Sequence, residues 1–405
     1  MSSANAKPTA VQFGAGNIGR GFMAELFWAG GYRIVFVDVD RPLVDALRSR
    51  GAYELHHITN EGDEVVTITD VTGIDARDAT AAAEAVAGAS LVSTAVGVRA
   101  LQAVTPAMAE GMARRLLYPG TPSLNVIACE NLVGSGRFLR DLVRTELEQR
   151  VTLGLHRTLS RREFDAKFGF VEAVVSRMVP IVPEEIRCRD PLWIASEPYA
   201  RLPVDAAAFR GPMPRIAGLE PVDNILAYQR RKLASHNMSH AVCAYLGYRA
   251  GHEFIWQAMD DPAVESVVRG GMAETGRALG LRFGFDPAVQ SAYEDDLCRR
   301  YRNRALGDQV RRVAADPLRK LGPEDRLIGS ARLCLEEGVE PVHVIRGIQA
   351  ALAYDNPADP TAVTLQDMLS ARGLRSVLLD ICGLVETEPL YARLAAAPMP
   401  KANAS

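Results

Sequence analysis

Thr9-Ala10-Val11-Gln12-Phe13-Gly14-Ala15-Gly16-Asn17-Ile18-Gly19 decides how the first half of this chain folds. Thr9 to Phe13 reads as a short buried strand, and it runs directly into Gly-x-Gly-x-x-Gly. Gly14 permits a tight turn out of the strand, and Gly16 lets backbone approach a pyrophosphate. Gly19 allows the next helix to pack closely, and the N–H groups at that helix's start would face the phosphates. Ala15, Asn17 and Ile18 complete the loop. The motif alone is weak evidence, because glycine is common; its place between a strand and a helix is what the chemistry demands. The helix is legible over 21–28, where Phe22, Met23, Leu26 and Phe27 share one face. A second apolar strand over 32–37 then ends at Asp38, 19 residues after Gly19. A carboxylate there accepts hydrogen bonds from a ribose diol and repels a 2′-phosphate. NAD is therefore favoured over NADP, with Arg41 close enough to weaken the preference. A ligand-free glycine turn and an FAD site are the alternatives.

Outward from this unit, strands and helices alternate. Residues 53–69 read as a hairpin turning at Asn60-Glu61-Gly62-Asp63. Helices over 79–86 and 101–115 separate strands over 90–96 and 124–129. The first of these strands ends in Ser93-Thr94-Ala95-Val96-Gly97, which would bring Thr94 and Val96 beside a nicotinamide. A helix over 137–150, a strand over 169–178 and one or two strands within 192–202 follow. From 221 onward the period is 3.6 in nearly every long segment: 224–251, 263–279, 287–301, 325–337, 362–372 and 375–381. The expected class is α/β, an N-terminal doubly wound Rossmann-type domain followed by a mainly α-helical C-terminal domain. Proline and glycine over 205–220 mark the connection. The expected layout is a disordered tail at 1–8, the NAD-binding domain at 9–210, the helical catalytic domain at 211–395 and a second tail at 396–405.

Composition narrows the function classes. The 405 residues are 48% hydrophobic and 23% charged, with a net charge of −3. That balance offers no general attraction to nucleic acid or to an acidic membrane. Six cysteines are scattered without a C-x-x-C pair, which fits a reducing cytoplasm and no cysteine-built zinc site. No apolar run of about 18 residues is present, and the N-terminus lacks the apolar core of a signal peptide. A cytoplasmic monomer or small homo-oligomer acting on a small molecule is expected.

The second informative stretch is Arg231-Lys232-Leu233-Ala234-Ser235-His236-Asn237-Met238-Ser239-His240. On a regular α-helix Asn237 would lie about 140° and His240 about 80° around the axis from Lys232, so the three share a broad face. Oxidation of a secondary alcohol needs a base for the hydroxyl proton and donors for the developing oxyanion. Lysine serves as that base only if desolvation or neighbouring positive charge lowers its pKa towards neutrality. His236 and His240, four residues apart, would suit a metal. No H-E-x-x-H, carboxylate or cysteine accompanies them, so no metal is expected and His236 is read as packing or pocket lining.

Lys232-x4-Asn237-x2-His240, together with Gly14-Ala15-Gly16-Asn17-Ile18-Gly19-Arg20-Gly21, resembles the polyol-specific long-chain dehydrogenases, the mannitol dehydrogenase family. Thr94-Ala95-Val96-Gly97, Asn125 to Asn131, Asp223-Asn224, Ala244 to Gly247 and Asp316 to Leu321 extend the resemblance over nearly the whole chain. It implies that Lys232 is the general base in alditol oxidation and the acid in ketose reduction. It implies that Asn131 and Asn237 hydrogen-bond the reacting oxygen, that His240 orients a neighbouring substrate hydroxyl, and that no metal takes part. The family's phosphate-specific branch interconverts mannitol 1-phosphate and fructose 6-phosphate with NAD, and the compact length favours that branch. The residues around the lysine (Ala234, Ser235, His236, Met238, Ser239) depart from that branch's pattern, and 153–165 reads as an insertion. A substrate phosphate needs cations, and the basic stretch 299–326 offers Arg319 and Lys320. Arg177 is a further candidate. A free-polyol or hexuronate dehydrogenase of the same family is the alternative enzyme, and a non-catalytic NAD-sensing protein the alternative of another class.

Overall fold

The computed structural model describes residues 7–118, 120–152 and 160–396. Most of the two expected tails, and residues 153–159 of the expected insertion, lie outside the described residues. The chain divides into two compact units, Met1–Leu226 and Ala227–Ser405.

The first unit is built on six parallel strands: β1 (Thr9–Phe13), β2 (Arg33–Asp38), β5 (Val71–Asp75), β6 (Leu91–Thr94), β7 (Leu124–Ala128) and β8 (Phe168–Glu172). They lie in the order β5-β2-β1-β6-β7-β8. Counted along the chain this is 3-2-1-4-5-6, the doubly wound order, whose ligand crevice opens at the carboxyl ends of the central strands. Alternate residues face opposite sides. Ala10, Ile34, Phe36 and Ile127 enter one apolar cluster, while Val11, Phe13, Val35, Val37 and Val126 enter the other. Both faces are therefore buried, and the strands read as apolar runs. Phe22 and Phe27, both wholly buried, seat the first helix on its face at about 1.5–3 kcal/mol each.

The hairpin forms as expected: β3 (Ala52–Thr59) pairs antiparallel with β4 (Gly62–Thr69), and β9 (Ile194–Ser196) joins β3 in parallel. The strand expected over 169–178 leaves the main sheet after Glu172, because Ala173 bridges Val204 and Val174 N–H donates to Pro203 O at 2.9 Å. Val204 belongs to β10 (Leu202–Asp205), which pairs in parallel with β11 (Leu219–Val222). That pairing keeps 211–222 with the first unit. The division therefore falls after Leu226, later than the expected boundary between 210 and 211.

The second unit is helical. Met238–Arg249 packs against Pro262–Phe283, Val310–Ala314 and Val342–Leu352. A Cβ on Gly347 would lie 2.3 Å from Val242, so two of these helices approach closely only because that residue is glycine. Asp-Pro pairs open several helices. Asp261, Asp286 and Asp359 each accept a first-turn N–H, with proline supplying the first helical residue. The segments expected at 362–372 and 375–381 form one helix, Pro360–Asp380, broken at Gly373 (φ 74°). All six cysteines are free thiols, five of them buried. Among the described residues no helix is long and apolar enough to cross a membrane.

Candidate active site

In the first unit the ends of β1, β2 and β6 are in register, with Phe13 opposite both Val37 and Thr94. The loop leaving β1 is thus flanked by Asp38 and by Ala95. Gly14 has φ 89°, and a Cβ there would lie 2.4 Å from Ala95 O. A Cβ on Gly19 would lie 1.9 Å from Gly14 O. Both glycines are required by the backbone itself. Gly16 differs: its Cβ direction meets nothing within 4 Å, so only a ligand lying over the loop would demand glycine there. The residues fit a dinucleotide pyrophosphate on these grounds.

Side chains brace this loop from below. Ala15 N–H donates to Asp38 Oδ2 at 2.5 Å, and Asp40 N–H donates to Asp38 Oδ1 at 2.9 Å. Arg20, buried, donates to Ala15 O at 2.6 Å and to Leu192 O at 2.8 Å. Gln12 donates to Phe13 O at 2.7 Å and takes the hydroxyl of Ser93. Asn17 donates to Pro180 O at 3.3 Å. Asp38 is thus part of the loop's own scaffold, with lone pairs left over for a ribose diol. Two residues past the end of β7, the buried Glu130 carboxylate accepts Val96 N–H at 3.0 Å and Gly97 N–H at 2.8 Å. Glu130 therefore shapes the loop on which Val96 sits, a role the sequence hides, although Glu130 directly precedes the predicted Asn131. Asn131 itself is exposed, three residues past the end of β7.

In the second unit Lys232–Asn237 is a π-helix between the α-helices Ile225–Arg231 and Met238–Arg249. Met238 N–H donates to Leu233 O, a bond spanning five residues. The 140° expected between Lys232 and Asn237 on an α-helix therefore does not hold. In a turn closed by i→i+5 bonds, residues five apart stack along the axis, so Asn237 is brought onto the side of Lys232. Lys232 is half-buried, and the burial of its ammonium, with the positive charge of Arg326 adding to it, lowers its pKa to about 8. A lysine with that pKa can give or take a proton near neutrality. His236 is buried with Nδ1 unpartnered, and burial holds its pKa well below the ordinary value. It packs beside His240 and Tyr301, with ring centroids 6.0 and 5.9 Å away. His240 places Nε2 2.8 Å from Asp308 Oδ2. Among the described residues no group of three or more His, Cys, Asp or Glu is placed to hold a metal ion.

The three predicted phosphate ligands separate. Arg177 is a correction: its side chain is wholly buried in the first unit, ion-paired with Glu25 and donating to Gly21 O at 3.0 Å. It is a structural cation. Arg319 is exposed and paired with Asp316 and Asp325. Lys320 is buried, 5% exposed, and burial together with Arg326 and Arg319 lowers its pKa to about 7. Arg326, which the sequence does not single out, lies within electrostatic reach of both Lys232 and Lys320.

Comparison with known proteins matches both units. The mannitol dehydrogenase Rossmann domain covers residues 8–218, and the mannitol dehydrogenase C-terminal domain covers 224–381. The chain is 38% identical over 385 residues to mannitol-1-phosphate 5-dehydrogenase of Bacillus pumilus, covering 94% of this chain and 97% of that protein. It is 39% identical over 381 residues to the Brevibacillus brevis protein of the same name, covering 94% and 95%. Among solved structures, Pseudomonas fluorescens mannitol 2-dehydrogenase in ternary complex with NAD and D-mannitol aligns with TM-score 0.71 at 20% identity, over 93% of this chain and 87% of that one. A D-sorbitol dehydrogenase aligns with TM-score 0.71 at 19% identity, over 85% of this chain and 80% of that one. Both share the fold.

Proposed function

Because this chain belongs to the mannitol dehydrogenase family, we propose that it is an NAD-dependent oxidoreductase interconverting D-mannitol 1-phosphate and D-fructose 6-phosphate. The observation that carries the chemistry is Lys232: a partly buried amine on a π-turn, its pKa lowered to about 8, with Asn237 brought alongside. The relatives named as mannitol-1-phosphate 5-dehydrogenases support the substrate.

Bound in the glycine cradle, NAD supplies the hydride acceptor. Gly16 and the helix start hold its pyrophosphate, Asp38 its ribose, and the Thr94 to Val96 loop its nicotinamide side. Lys232 takes the hydroxyl proton during oxidation and returns it to the ketose oxygen during reduction. The amides of Asn131 and Asn237 donate to that oxygen as charge develops. His240 orients a neighbouring hydroxyl. No metal enters this scheme, since the lysine performs the proton transfer.

The electrostatics of the second unit support a narrower reading of the phosphate site. Lys320, Arg326 and Arg319 come from eight consecutive residues and repel one another, so a dianion among them relieves that repulsion. Lys320 and Arg326 are the cations assigned to the phosphate, with Arg319 at the margin.

The test is loss of NADH absorbance with fructose 6-phosphate and, separately, fructose, with Lys232→Ala as the blank. Turnover with the phosphate alone, lost in the variant, is the expected result. Turnover with fructose and not its phosphate would move the assignment to free polyols. NADH binding without turnover on any ketose would favour a nucleotide sensor.

A further inference from the structure

His240 is held on three sides within the second unit. Its Nε2 faces Asp308 Oδ2 at 2.8 Å. Its ring lies flat on Tyr301, centroids 4.9 Å apart and planes 9° from parallel. Tyr301 is itself fixed, its hydroxyl donating to His236 O at 2.8 Å and lying 2.9 Å from Ser239 Oγ. The buried, unpartnered Nδ1 of His236 belongs to a ring 6.0 Å away. The Nδ1 of His240 makes no hydrogen bond to a described residue.

Asp308 is as constrained as the ring it faces. Its backbone carbonyl accepts Ile255 N–H at 2.8 Å, and Val310 N–H donates to Glu253 O at 2.8 Å, so a backbone bridge delivers the carboxylate. Its second oxygen, Oδ1, accepts Nε of Arg312 at 3.0 Å and also one terminal N–H of that guanidinium. Burial alone would raise the Asp308 pKa, but His240 and Arg312 outweigh it and hold the carboxyl below its ordinary value. An ionised carboxylate is acceptor-only. With Oδ1 committed to Arg312, Oδ2 can only accept from His240, so Nε2 carries a proton, and in the neutral imidazole it is the only one.

We propose that Asp308, locked by Arg312, is a positioning residue that fixes the tautomer of His240 and leaves Nδ1 as a hydrogen-bond acceptor. His240 then takes a hydrogen bond from a substrate hydroxyl and gives none. The site accordingly selects a substrate with a hydroxyl donor next to the reacting carbon. A carbonyl or ether oxygen at that position would face a lone pair. This consequence rests on the proposed function; the tautomer assignment does not.

Asparagine at 308 makes the test sharp. The amide keeps the shape of the carboxylate, but Arg312 requires an acceptor at Oδ1, which turns the NH2 group towards His240. Nε2 must then accept, and the proton moves to Nδ1. Removing Arg312 as well frees the amide to rotate, so that the Nδ1–H tautomer is no longer imposed.

The first measurement is the imidazole 15N spectrum of the full chain. Wild type is expected to show Nε2–H for His240, Asp308→Asn to show Nδ1–H, and Asp308→Asn/Arg312→Leu to recover Nε2–H in part. An Nδ1–H tautomer in the wild type overturns the proposal, and that spectrum decides even if the variants do not fold. Turnover is the second readout. Asp308→Asn should lower kcat/KM for fructose 6-phosphate by about 10- to 100-fold, by analogy with the partners that orient metal-bound imidazoles. NADH binding should be unchanged, and the double variant should recover part of the loss. A double variant no better than Asp308→Asn, with both correctly folded, would reduce Asp308 to an ordinary structural ion pair. A wild type inactive on fructose 6-phosphate but with the expected spectrum would sink the substrate and spare the tautomer.

Discussion

The glycine loop of the first unit and the lysine turn of the second both rest on π-helical turns, Gly19–Met23 and Lys232–Asn237, but they are stabilised in opposite ways. Around the glycine loop, backbone and side chains satisfy one another: Arg20 on Ala15 O, Asp38 on Ala15 N–H, Gln12 on Phe13 O. Nothing there needs an unusual protonation state. Around the lysine turn, burial moves the titrating groups, with Lys232 drawn down to about 8 and His236 kept neutral. One half is a mould and the other is an electrostatic device. Substitutions in the two should fail differently.

The largest effect is expected from Lys232→Ala. Removing the acid/base should cost about 10²–10⁴ in kcat, with NADH affinity, read by fluorescence titration, left as it was. An equal loss of NADH binding would erase the distinction. Next comes Gly16→Val. Its Cβ meets no protein atom, so the folding free energy should stay within about 0.5 kcal/mol of wild type, while the Kd for NADH rises about tenfold or more. By contrast Gly19→Ala, with a Cβ 1.9 Å from Gly14 O, should cost folding as well as binding. An unchanged Kd in Gly16→Val would mean that the nucleotide lies elsewhere. Lys320→Met should raise the KM for fructose 6-phosphate about tenfold, the loss of one charge-assisted hydrogen bond, and leave the Kd for NADH alone.

The smallest effect concerns pH. Ketose reduction needs Lys232 protonated, so its kcat/KM should fall as pH rises through about 8, and alditol oxidation should rise over the same interval. The charge of Arg326 disfavours the protonated amine, so Arg326→Gln should move the midpoint upward. The readout is the position of the midpoint alone, because losing a phosphate cation at Arg326 lowers kcat/KM at every pH. A downward movement would place the origin of the depressed pKa elsewhere.

Local signals were legible where a side chain acts on its own neighbourhood. The strand–glycine–helix order, the hairpin turn at 60–63 and the C-terminal helices follow from periodicity and turn chemistry. Other local signals are easily passed over. The helix Arg41–Arg50 carries an Asp40 cap, Pro42, a left-handed Gly51 and a buried face of Leu43, Val44 and Leu47, all of it local. β5 is short, and its Gly73 looks like a breaker. The glycine is there because a Cβ would lie 2.7 Å from Val44 O. What no window of sequence contains is the distant partner. Arg177 reads as a free cation until Glu25, 152 residues away, is found beside it. His240 gives no sign of Asp308, 68 residues on. The π-turn is also invisible, because the apolar pattern on either side is consistent with an unbroken α-helix.

That turn makes the site sensitive to length as well as to residue type. A π-turn amounts to an α-helix into which one amino acid has been inserted. Losing a single codon between 233 and 236 would let the helix on either side join as ordinary α-helix, with the lysine and the asparagine then four residues apart and about 40° around the axis. Amino-acid exchanges at these positions adjust the surroundings of the lysine. A one-residue deletion would remove the turn and keep the alignment with Asn237, whereas straightening the turn at its present length would open about 140° between them.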